Sequence, residues 1–156
     1  MIGIPGRMTF VVLAAGMLFA ASGIAAETAP FKVTVTASTN RIQLKKPFSL
    51  HVKVQNASST TQEFEILGCR WFLNWTMESQ SVQFPSWDCD YYPRMKIRLA
   101  PGKSWENDTT MTVGSGNSTN RITFRAGFSP EPVLPNQRGG PPKYYWGNHV
   151  TLEIQR

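Results

Sequence analysis

The chain has little of what most chemistry needs. Its 156 residues include two cysteines and two histidines. With His51 and His149 far apart in sequence, no helical histidine pair for a metal exists. No Cys-x-x-Cys is present, which removes the usual thiol redox and zinc-ribbon signals. Acidic residues are few, 10 against 16 basic ones. Asp88 and Asp90 flank Cys89 but fall far short of a calcium-loop pattern. Gly102-Lys-Ser104 mimics the end of a phosphate loop, yet Ile97 stands where that loop needs glycine. Gly114-Ser-Gly-Asn-Ser118 is not the Gly-x-Ser-x-Gly elbow of hydrolases. No Ser–His–acid set can be assembled, and the sequence implies a non-catalytic protein without cofactor or metal. After the first 26 residues, no stretch of ten or more residues has helical spacing, and no apolar run approaches the roughly 20 residues of a membrane span.

What is present begins with an address. Arg7 precedes an almost wholly apolar run, Met8 to Ala21, and Ser22 to Ala26 supply small residues before Glu27. Charged start, apolar middle and small-residue exit are the layout of a secretory signal peptide, residues 1–26. Cleavage after Ala25 places Gly23 and Ala25 at the two small positions, and cleavage after Ala26, with Ile24 and Ala26 there, is less ideal but allowed. The expected product is a single domain, 27–156, exported to the periplasm or the extracellular space, with no membrane span after leader removal. Arg7 leaves with the leader, so the mature net charge is one less than the +6 of the whole chain. Export implies that Cys69 and Cys89 form a disulfide rather than a free thiol pair. Closing a loop of about 20 residues this way contributes roughly 3 kcal/mol on the chain-entropy account.

Period-two alternation dominates the rest. Phe31, Val33, Val35 and Ala37 alternate with Lys32, Thr34, Thr36 and Ser38. The same pattern runs through Phe48–Gln55, Arg94–Leu99, Arg121–Phe128 and His149–Gln155, and Asn56-Ala-Ser-Ser reads as the turn after the first of these. Each run reads as a strand with one apolar and one wet face. Weaker strands are expected over Thr61–Leu67, over Arg70–Glu78 with Trp71, Leu73, Trp75 and Met77 on one face, and over Ser104–Val113. Pro101-Gly102 between two runs suits a type II turn, which requires positive φ at the glycine. The expected fold is all-β, an immunoglobulin-like antiparallel β-sandwich of about seven to eight strands.

Three passages stand out together: Phe48-Ser-Leu-His-Val-Lys-Val-Gln-Asn56 running on to Gln62-Glu-Phe64, then Ile97-Arg-Leu-Ala-Pro-Gly102 with Trp105, then Phe124-Arg-Ala-Gly-Phe128 with Asn148-His-Val-Thr-Leu152. Their order resembles the immunoglobulin-like domains of bacterial envelope proteins, and is similar to the intracellular proteinase inhibitor (BsuPI-like) family, over most of residues 31–155. The resemblance implies the same sandwich layout. The leader, the two cysteines and a proline-rich segment depart from the inhibitor family, and no functional residue carries over.

That segment, Ser129 to Pro142, holds five prolines and two glycines and interrupts the strand rhythm. A long loop of this kind is often functional. Aromatic residues cluster beside it and beside Cys89: Trp87, Tyr91 and Tyr92 in one loop, and Tyr144, Tyr145 and Trp146 where the proline-rich segment rejoins a strand. Rigid rings on loops suit binding, and the bland alternative is that they cap the ends of the core. Arg94, Lys96 and Arg98 on one strand and Arg121 and Arg125 on another would form a cationic patch if those strands were neighbours. Four Asn-x-Ser/Thr sequences, at Asn56, Asn74, Asn107 and Asn117, are read as turn chemistry rather than glycosylation. The functional expectation is an exported binding or structural module of the cell envelope. Its expected partner is another envelope protein or polymer, not nucleic acid. The alternative is a secreted proteinase inhibitor using the loop 129–142.

Overall fold

The computed structural model describes residues 29–84, 89–114, 119–134 and 140–155. The leader, Trp87 and the middle of the proline-rich segment therefore lie outside the described residues. Where alternation is strongest, the strands form as the pattern requires. Strands β1 (Phe31–Ala37) and β2 (Arg41–Gln43) are followed by β3 (Phe48–Asn56) and β4 (Gln62–Leu67). Then come β5 (Trp75–Met77), β6 (Val82–Gln83), β7 (Arg94–Leu99) and β8 (Ser104–Val113). The chain closes with β9 (Arg121–Phe124), β10 (Ala126–Phe128), β11 (Tyr145–Trp146) and β12 (Val150–Gln155).

Among the described residues the protein is all-β apart from one short 3-10 segment. A four-stranded antiparallel sheet has the order β1-β3-β8-β6. β10 lies between β11 and β5, β12 lies between β2 and β9, and β4 pairs β7. The inward residues of β3 and β8, namely Leu50, Val52, Val54, Met111 and Val113, have no solvent exposure. Aromatic edges join that sheet to the other strands. Phe31 meets Phe64 at 6.0 Å and Phe128 at 5.7 Å, and Trp105 meets Phe64 at 6.0 Å. The 100–103 turn forms as expected: Lys103 N–H donates to the Ala100 carbonyl at 3.0 Å, with Gly102 at φ 75°.

Four expectations change. Arg70–Glu78 is not one strand. Residues Gly68–Asn74 form a 3-10 helix kinked at Arg70, and only Trp75–Met77 is extended. Gly68 turns the chain there at φ 35°, and a Cβ on it would sit 3.0 Å from Pro93 Cδ. Trp71 and Asn74, three residues apart, are its buried positions, as a three-residue turn dictates. The run Arg121–Phe128 breaks at Arg125, because its first half pairs β12 and its second half pairs β5 and β11. β2 pairs β12 in parallel, so the sheets are not purely antiparallel. In β7, Leu99 is buried and Ile97 half-buried, but Met95 is 40% exposed. β4 is its sole strand neighbour among the described residues, so its far end runs beyond the core.

Candidate functional site

The proline-rich segment is tied down by Asn74. This residue ends the 3-10 helix with its side chain fully buried. Its Nδ2 donates to the carbonyls of Glu65 at 2.7 Å and Ser129 at 2.9 Å, and its own carbonyl accepts from Ser129 N–H at 2.7 Å. Further along, Glu65 N–H donates to the Pro130 carbonyl at 3.0 Å and Val133 N–H to the Leu73 carbonyl at 2.9 Å. Residues 129–133 are thus laid along β4 and the 3-10 helix.

Two adjoining hollows result. One, of about 420 Å³, lies between the outgoing limb 129–134 and the returning limb 140–143. The other, of about 450 Å³, lies between Pro130–Pro132 and the β4–β7 ribbon. They adjoin at Pro130, Glu131 and Pro132, and the pair is termed the proline-rich cleft. Val133, Leu134 and the proline rings give the first hollow an apolar lining. Glu63, Glu65, Arg94 and Lys96 give the second a charged one. Volumes of this size are those of ligand sites.

The sequence-predicted aromatics fall into two groups. Tyr144 and Trp146 lie together, centroids 6.0 Å apart, on the limb returning from the cleft. Burial raises the Tyr144 hydroxyl pKa above its ordinary value. Trp146 is 40% exposed and lies across Gly127, where a Cβ would meet its ring atoms at 3.1 and 3.2 Å. The Arg125 guanidinium sits 4.8 Å from the Trp146 ring centroid and pairs with Glu78 at 3.0 Å. Tyr145 turns the other way: it meets Phe31 edge-on at 5.4 Å and packs on the core, with Lys143 Nζ 5.3 Å from its ring. The second group surrounds the Cys69–Cys89 disulfide, whose Cα atoms are 6.3 Å apart. There the Arg70 guanidinium covers the Tyr92 ring at 4.2 Å, and Tyr91 is 80% exposed.

The cationic patch does not assemble by strand pairing. β7 pairs β4, whereas β9 pairs β12. Each cation instead faces an acid: Arg94 with Glu65, Lys96 and Arg98 with Glu63, Arg121 with Glu153 and Arg125 with Glu78. His51 is not a lone histidine. Register places it opposite Asp108, Nδ1 to Oδ1 2.8 Å, with Glu106 3.5 Å from Nε2. Lys53 reaches Glu106 at 2.7 Å, and that hydrogen bond holds the Glu106 carboxyl below its ordinary pKa. These groups are solvent-exposed, which makes them a screened surface network.

Sequence reasoning missed the structural asparagines. Asn56 is buried and makes four hydrogen bonds. Nδ2 donates to the Thr60 and Leu99 carbonyls at 2.7 and 2.8 Å, and Oδ1 accepts from Ser58 N–H at 2.9 Å and Ser58 Oγ at 2.8 Å. Asn148 clips the outer edge of β1: its Oδ1 accepts from Val35 N–H at 2.8 Å and its Nδ2 donates to Val35 O at 2.9 Å.

No family model matches the chain, and no curated protein matches it. Among solved structures it is similar to a FixG-related protein from Vibrio parahaemolyticus, at 12% identity and a TM-score of 0.46, over 82% of this chain and 99% of that one. Among the described residues no helix is long and apolar enough to cross a membrane.

Proposed function

We propose that the chain is an exported, non-catalytic module that binds another protein of the cell envelope, using an immunoglobulin-like β-sandwich as its scaffold. The order β1-β3-β8 follows the A-B-E run of immunoglobulin-type sheets, which supports the scaffold. The disulfide supports export, because such bonds persist in oxidising compartments. The observation that carries the binding reading is the cleft. A proline-rich limb is fastened to β4 and the 3-10 helix by three backbone bonds and the Asn74 side chain, yet it leaves an apolar hollow beside it. A rigid, concave, partly apolar surface is what a docking site needs, since little ordering entropy is lost on binding.

Capture from envelope extract tests this. Leu134→Asp puts a charge into the apolar hollow, and Glu131→Lys reverses the charge at the point both hollows share. A partner retained by the wild-type domain and lost from both folded variants supports the cleft. Equal retention by all three overturns it. The inhibitor reading has one feature in its favour: Ser129 and Val133 hold the outgoing limb of the loop rigidly, as an inhibitory loop requires. Absence of inhibition across serine and cysteine proteinases at micromolar protein excludes it.

A further inference from the structure

β1 has an open outer edge, and the Asn148 side chain shows how that edge is used. In an antiparallel ladder, alternate residues send both backbone groups to the same neighbour. Val35 sends its N–H and its carbonyl to Asn148 rather than to β3. Pro30 and Ser38, of the opposite parity, bond to Ala57 and Ser49 on the β3 side. Phe31 and Val33 share the parity of Val35, so their N–H and carbonyl groups also point outward. The Asn148 carboxamide is in effect a single peptide group seated on this edge. The next outward pair, at Val33, lies about 7 Å along the strand. No strand is hydrogen-bonded there, since β1 pairs only β3 among the described residues, and β11 packs beside it without pairing.

A shallow groove of about 510 Å³ adjoins the open stretch, with Phe31, Val33, Tyr145 and Trp146 among its lining. Gly147 closes one end tightly against Val33 and Val35. Among the described residues Lys32 is the one charged side chain lining it, and Lys143 stands close by over the Tyr145 ring.

We infer that the outer edge of β1 between Phe31 and Val33 accepts an extended acidic peptide segment of a partner protein by strand addition. Backbone pairing at Val33 supplies the affinity, and alternate side chains of the segment meet the apolar floor and Lys32. Acidic character follows from the cations at the groove, Lys32 in its lining and Lys143 over the Tyr145 ring. This surface adjoins the proline-rich cleft at Lys143 but does not depend on the apolar hollow there.

The probe is a fluorescein-labelled heptapeptide of alternating valine and glutamate, titrated against the whole exported domain by anisotropy. Two companions are the same peptide N-methylated at alternate amides and the same peptide with lysine for glutamate. Saturable binding is expected for the acidic peptide alone, with the Val33 amide gaining protection from hydrogen exchange. Lys32→Glu should weaken binding about five-fold, the effect of one exposed charge contact. Val33→Pro removes the outward N–H without touching the β1–β3 ladder and should abolish binding. If that variant does not fold by circular dichroism, Lys32→Glu and the N-methylated peptide decide. The inference is overturned by absence of saturable binding, by equal binding of the methylated or lysine peptide, or by unchanged binding to Lys32→Glu. A concentration-dependent dimer that protects the Val33 amide overturns it too, since the occupant is then a second copy.

Discussion

Replacing Asn56 by alanine should be among the most damaging single changes available in this domain. The side chain is 1% exposed and stands where β3 gives way to the turn into β4. It bridges that turn to the last residue of β7 through the Leu99 carbonyl. Alanine removes four hydrogen bonds. The two from Ser58 and the one to Thr60 involve groups near solvent, so water replaces much of their value. The bond to Leu99 is buried, so water does not replace it. Taking about 1 kcal/mol for that bond and about 1–2 kcal/mol for the other three together gives about 2–3 kcal/mol. For a domain of this size that lowers the melting temperature by roughly 10 °C. Urea unfolding followed by tryptophan fluorescence measures it, with Asn56→Asp as companion. Aspartate keeps the shape but places an oxygen against the Thr60 and Leu99 carbonyls, so it should cost at least as much as alanine. A loss below 1 kcal/mol for alanine would refute the reasoning.

Gly127→Ala should destabilise by about 1–3 kcal/mol, because its methyl group meets both the Trp146 ring and Thr76 Cγ2 at 3.2 Å or less. Thermal unfolding checks the size, and relief of the loss in the Gly127→Ala/Trp146→Ala double variant checks the cause. Glu106 has a folded-state pKa depressed below 4.5, first by the Lys53 hydrogen bond. Its contribution to stability is therefore present above pH 4.5 and lost as pH falls through the depressed value. Acid unfolding of Lys53→Met should show less pH dependence in that window than the wild type.

The readable part of the fold was the part in which one face is buried along a whole strand. β1, β3, β8 and β12 follow their alternation residue by residue. Arg70–Glu78 misled because Trp71, Leu73, Trp75 and Met77 alternate by chance, while the burial of Trp71 and Asn74 follows a 3-10 turn started by Gly68. β2 has three residues, too few to carry a period, and its parallel partner lies at the other end of the chain. Asn56 was legible in principle. It continues the inward series Phe48, Leu50, Val52, Val54, and a polar residue at an inward position must find hydrogen bonds. Asn74 and Asn148 carried no such signal, because their partners Ser129 and Val35 are 55 and 113 residues away. The loop aromatics looked alike in sequence. Tyr145 and Trp146 differ because adjacent residues on a strand face opposite ways, one onto the core and one onto Gly127.

The central claim is that the proline-rich cleft is a docking surface for an envelope protein. A photo-crosslinking residue in place of Leu134, compared with one in place of the exposed Thr151 on β12, tests it most directly in intact cells. The account expects a discrete crosslinked adduct from position 134 and none from position 151. Adducts from both positions alike, or from neither, would contradict it.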